Sequence, residues 1–110
     1  MAKPRGRRGS WFADWQGESL PCVHEAYFVA ERGIRPHYVE EGVGSSPQWA
    51  HFIAAIMSLE KVIVTSDYLD EKGVPIRRKA YRALWQVGNV RYKHPVLLFD
   101  FVQRLPDRFT

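Results

Sequence analysis

The chain has 110 residues, 45% of them hydrophobic and 14% aromatic, enough apolar side chain for one ordinary core and too much for a disordered tract. Its formal charge is +4, its only cysteine is Cys22, and no apolar run is long enough to span a bilayer. A disulfide scaffold and a membrane-spanning helix are excluded. The basic start lacks the apolar stretch of a secretory leader, so a cytoplasmic protein without a membrane partner is expected.

The charge is unevenly placed. Lys3, Arg5, Arg7 and Arg8 account for the whole excess, because the chain beyond residue 9 carries 12 basic and 12 acidic side chains. Within that neutral body, residues 76–94 hold Arg77, Arg78, Lys79, Arg82, Arg91 and Lys93 and no acid. That window is +6, which leaves −6 for the rest of the body.

Residues 1–9 are rich in Gly, Pro and Arg with almost nothing to bury, and read as a flexible basic arm before a single domain at 10–110. The run PRGRR resembles the AT-hook, whose PRGRP core lies along an A·T-rich minor groove. The resemblance implies DNA contacts through Arg5, Arg7 and Arg8, with Arg8 standing where the motif has its second proline. A solvated tail is the plainer use of the same residues.

Residues 10–16 alternate and predict a strand that Gly17 breaks. Residues 20–30 predict its hairpin partner, with Leu20, Cys22, His24, Ala26 and Phe28 on one face and a turn over 17–19. Gly, Pro and charge dominate residues 31–46, which read as a long loop. Its last residues, GVGSS, run into a helix start that can hold an anion, although Glu40 and Glu41 just before them would repel a phosphate.

Residues 46–60 follow one pattern only. Trp49, Phe52, Ile53, Ile56 and Met57 recur at helical spacing, Ser46 suits an N-cap and Pro47 the first turn, so a helix over 47–60 with one buried stripe is expected. The β-branched run at 62–65 predicts a strand, and Asp70, Glu71, Lys72 and Gly73 a turn. Residues 74–87 fit a helical stripe as well, but the preceding turn and the alternation of Tyr81, Ala83, Trp85 and Val87 favour a strand ending at Gly88-Asn89. A last hairpin follows, with Leu97, Phe99 and Phe101 facing the core. The sum is an α+β domain: an antiparallel sheet of about five or six strands on one main helix. This rhythm, closing on VRYKHPVLLFDFVQRLP, resembles PUA-like domains, which implies a barrel whose cleft takes RNA or a modified base.

Cys22 and His24 are spaced to give a metal two ligands, with His37 and His51 to supply a third and a fourth. No second close pair completes a site, so no metal and no cofactor are expected. A Cys22–His24 nucleophile lacks an orienting partner, and no catalytic residue is assigned. The basic window is the better candidate. As a strand it would place Arg77, Lys79 and Tyr81 on one face and Arg78 and Arg82 on the other, interleaved with Trp85 and Tyr92, as a surface that holds phosphates and stacks bases requires. The expected function is a non-catalytic module binding DNA or RNA through Arg5, Arg7, Arg8, Arg77, Arg78, Lys79, Tyr81, Arg82, Trp85, Arg91 and Lys93. The alternatives are a protein-interaction module that meets an acidic partner or a second copy through the same hairpin, and a small enzyme or ligand-binding domain with a His-containing pocket.

Overall fold

A helix forms where the apolar stripe predicts it. The computed structural model describes residues 11–41 and 47–106, so the arm with Arg5, Arg7 and Arg8, the Ser46 cap and the GVGSS run lie outside the described residues. The helix α1 (Pro47–Leu59) buries Trp49, Phe52, Ile53 and Ile56. Met57, expected with them, is 47% exposed. At 100° per residue it sits about 80° round from Trp49, beyond the edge that the other four define.

Among the described residues the sheet has seven strands: β1 (Phe12–Trp15), β2 (Glu18–His24), β3 (Phe28–Val29), β4 (His37–Glu41), β5 (Lys61–Leu69), β6 (Pro75–Lys93) and β7 (Val96–Leu105). Their order is β1-β2-β5-β6-β7-β4-β3, with β2 parallel to β5 and every other pair antiparallel. The expected five or six antiparallel strands are therefore corrected to seven in a mixed sheet. The parallel pair arises because the chain leaves β2, makes β3, β4 and α1, and returns beside its starting strand, the kind of long crossover that parallel pairing requires. Among the described residues β1 and β3 are open edges, not the closed barrel implied by a PUA-like fold.

Local chemistry explains the other departures. The first hairpin turns on Gln16 and Gly17, both at positive φ (48° and 85°), the two-residue geometry that suits twisted strands. The predicted strand over 20–30 ends at His24, where Glu25–Tyr27 makes a 3₁₀ turn. The expected loop at 31–46 contains β4, which buries Tyr38 stacked on Phe99 with ring centroids 4.8 Å apart. Only one side chain of HYVEE is fully buried, so no alternation betrays the strand. The turn at 70–73 forms as expected, Asp70 Oδ1 accepting the amides of Lys72 and Val74 at 2.8 and 2.9 Å.

Two cores flank the sheet. One joins Trp49, Phe52, Ile53 and Ile56 of α1 to Val62, Val64, Val87, Phe99 and Phe101. The other gathers Ala13, Trp15, Leu20, Cys22, Ile63, Tyr81 and Leu84. The β5–β6 hairpin contributes to both, so each of its residues belongs to one side or the other.

Candidate nucleic-acid interface

The basic window lies in β6, a single strand from Pro75 to Lys93 with no break at Gly88-Asn89, where the ladder instead takes up an extra residue beside Asn89 at φ 51°. Its pairing with β5 slips three times. Val64 pairs Ala83 but Thr65 pairs Tyr81, Ser66 pairs Ala80 but Asp67 pairs Arg78, and Tyr68 pairs Arg77 but Leu69 pairs Pro75. Each slip leaves one β6 residue over, namely Arg82, Lys79 and Ile76, while β5 alternates without interruption. A bulge re-aims the residues around it. The expected sharing of faces, Arg77 with Lys79 and Tyr81 against Arg78 with Arg82, is corrected accordingly.

Arg78 turns inward. Its guanidinium donates to the Thr65 hydroxyl at 2.9 Å and to the carbonyl of Cys22 at 2.8 Å, and lies 3.9 Å from Asp67 Oδ1. The two side chains are only 6% and 1% exposed. His24 Nδ1 is 3.0 Å from the same carboxylate oxygen. Arg78 Nη1 lies 3.3 Å from that same His24 nitrogen. Asp67 Oδ2 is buried without a hydrogen-bond partner among the described residues. The network ties β2, β5 and β6 together and keeps Arg78 from any external anion. Tyr81 is buried in the second core and offers no face for stacking.

Arg82 turns the other way. With Val64, Ala83 and Trp85 it lines an open cleft of about 520 Å³, completed by Glu25, Phe28 and Arg104. Arg104 reaches this face because it pairs with Trp85 across the β6–β7 ladder, and one of its nitrogens donates to the carbonyl of Arg82 at 3.5 Å. Trp85 is held edge-on to Phe101 (5.3 Å between centroids) and tilted against Phe28 (5.9 Å), which itself lies 4.4 Å from Phe101. Glu25 accepts from Arg82 Nε at 3.0 Å, and both partners are about half exposed. Exposed pairs of this kind contribute little to stability, so parting Glu25 from Arg82 would cost little.

The remaining cations fall into two groups. Arg77 and Lys79 stand over the Tyr68 ring, at 4.3 and 5.6 Å from its centroid. Tyr68 follows Val64 by four residues on the alternating β5, so this group continues the cleft's face about 13 Å toward the hairpin tip. Arg91, whose guanidinium donates to Asp100 at 3.2 Å, and Lys93 lie nine or more residues beyond Arg82, about 30 Å along the strand. The structure therefore brings together Arg77, Lys79, Arg82 and Trp85 and separates them from Arg78, Tyr81, Arg91 and Lys93.

Cys22, weighed as a ligand or nucleophile, is fully buried, and its burial pushes the thiol from an ordinary 9.0 up to about 11, with Arg78 opposing and Asp67 adding. It is inert. His37 sits by the carbonyl of Arg35 and His51 against the Phe12 ring, and no group of metal-binding side chains assembles among the described residues. Sequence reasoning missed Glu25, Phe28 and Arg104, which reach the cleft through long-range register, and Asp67, whose partners are 11 and 43 residues away. No described helix is long and apolar enough to cross a membrane. No family model matches the chain, and no curated protein or solved structure matches it significantly.

Proposed function

We propose that the protein is a non-catalytic module that binds single-stranded nucleic acid across the cleft face of the β5–β6–β7 sheet. One observation carries this reading: Arg82, Arg104 and Trp85 open on a single cleft, on the same face as Arg77, Lys79 and Tyr68. Guanidinium groups pair bidentately with phosphate, and a half-buried indole gives an unpaired base a stacking surface that a duplex cannot use. Arg5, Arg7 and Arg8 add charge from the arm, where counterion release strengthens binding regardless of sequence.

Titration of labelled single- and double-stranded oligonucleotides at about 50 mM salt tests it, because backbone contacts are strongest at low salt. Binding of the single strand is expected, and its loss in Arg82→Glu with Arg104→Glu. Failure of the unmodified protein to bind either strand would retire the reading. The protein-partner alternative would then lead, favoured by one feature of its own: the hairpin tip exposes Leu69, Val74 and Ile76 beside the cations over Tyr68.

A further inference from the structure

Glu25 runs against the charge of the face it lies on. Among the described residues it is the only acid lining the basic cleft, where its carboxylate repels the phosphates that Arg82 and Arg104 attract. Local structure sets its position. β2 ends at His24, the 3₁₀ turn Glu25–Tyr27 follows, and Phe28 opens β3. The turn delivers a carboxylate and an aromatic ring to one cleft three residues apart, with the Phe28 ring 5.9 Å from Trp85. Arg82 Nε takes up one position on Glu25 Oε2, at 3.0 Å. A carboxylate has about four lone-pair sites on its two oxygens, so Glu25, whose side chain is 49% exposed, can still accept from a ligand.

A carboxylate only accepts, and the donors of a nucleic acid are base edges and, in RNA, the 2′-hydroxyl. On its Watson–Crick edge an unpaired guanine sets N1–H beside the 2-amino group, two adjacent donors that match two carboxylate oxygens. Adenine and cytosine each set a ring-nitrogen acceptor beside the amino donor. Thymine flanks its one N–H with two carbonyls. Each of these three bases would therefore turn an acceptor toward Glu25. Resting on the reading of this cleft as a single-strand site, we propose that it selects guanine: the base stacks on Trp85, its N1–H and 2-amino group donate to Glu25, and Arg82 and Arg104 hold the adjoining phosphate. Glu25 weakens the binding of every strand through its charge and offsets that loss for guanine alone, which is how a repulsive group confers specificity.

The test is a titration of the full chain, at about 50 mM salt, with short labelled oligothymidylates that carry one central guanine, hypoxanthine, adenine or cytosine. The guanine strand is expected to bind roughly tenfold more tightly than the all-thymine strand, the scale of one bidentate base contact. Hypoxanthine, which keeps N1–H but lacks the 2-amino group, should fall between them. Glu25→Ala should erase the guanine preference while the all-thymine strand binds no more weakly than before, because a half-exposed side chain is removed without disturbing the fold. The proposal is overturned by hypoxanthine matching guanine, by a guanine preference that survives Glu25→Ala, or by equal weakening of all strands in that variant. It is also overturned if a ribose strand outbinds its deoxyribose counterpart only while Glu25 is present, which would make the 2′-hydroxyl the group that is read. Binding of all strands without base preference overturns guanine selection alone, whereas binding of none overturns the single-strand reading and guanine selection with it.

Discussion

Arg78 and Arg82 sit four residues apart on one strand and meet opposite fates. Arg78 is buried on Asp67, Thr65 and the carbonyl of Cys22, whereas Arg82 faces solvent across a cleft beside the exposed Glu25 carboxylate. In an unbroken strand two residues four apart share a face. The bulge at Lys79 and the bulge at Arg82 separate them, so the number of extra residues in the ladder, not the residue type, decides which arginine holds the fold and which can hold a ligand.

The sharpest way to break this comparison is to remove each guanidinium in turn. Arg78→Ala leaves Asp67 as an uncompensated buried charge and is expected to cost about 3–5 kcal/mol in urea unfolding, whereas Arg82→Ala should stay within about 0.5 kcal/mol of the parent. Equal losses would mean that the two faces are not distinguished as described. Arg78→Met combined with Asp67→Leu sharpens the point, since replacing a whole buried pair by apolar groups is often near neutral.

Alkaline titration probes one buried group in each core, with a somewhat smaller effect. Burial raises the Cys22 thiol to about 11, and burial with the neighbouring Glu40 also raises the Tyr38 phenol well above its ordinary value. The folded chain then holds protons that the unfolded chain releases, so stability is intact below about pH 9 and falls as pH rises toward 11. Two pKa units on Cys22 correspond to about 3 kcal/mol. Cys22→Ala should flatten the profile over that range, and an unaltered slope would assign the loss elsewhere. The smallest expected effect is that of deleting residues 1–9. Stability should not change, while the dependence of oligonucleotide affinity on log[salt] should become shallower; an unchanged slope would make the arm a bystander.

How much of this was legible beforehand follows from periodicity. The α1 stripe was readable because Trp49, Phe52, Ile53 and Ile56 obey one period without interruption, and the 70–73 turn because Asp70 and Gly73 supply the chemistry it needs. β4 was not, since a strand that fully buries only Tyr38 shows no alternation. The cleft was half legible. Arg82 and Trp85 lie in the basic window, but the bulge at Arg82, which no pattern announces, decides that they face it together, and Phe28 and Arg104 join through pairings with distant strands. Arg78 and Tyr81 looked equally suitable, and only the register places them inside.

The central claim is that one face of β6, and not the basic window as a whole, meets nucleic acid. Photo-crosslinking a single-stranded oligonucleotide carrying a reactive base analogue, followed by peptide mapping, tests it most directly. The account places the crosslink on Trp85 or Phe28, with loss in Arg82→Glu combined with Arg104→Glu and no loss in Arg91→Glu. A crosslink confined to Tyr92, or one that vanishes with Arg91→Glu while surviving the Arg82 and Arg104 reversals, would contradict it.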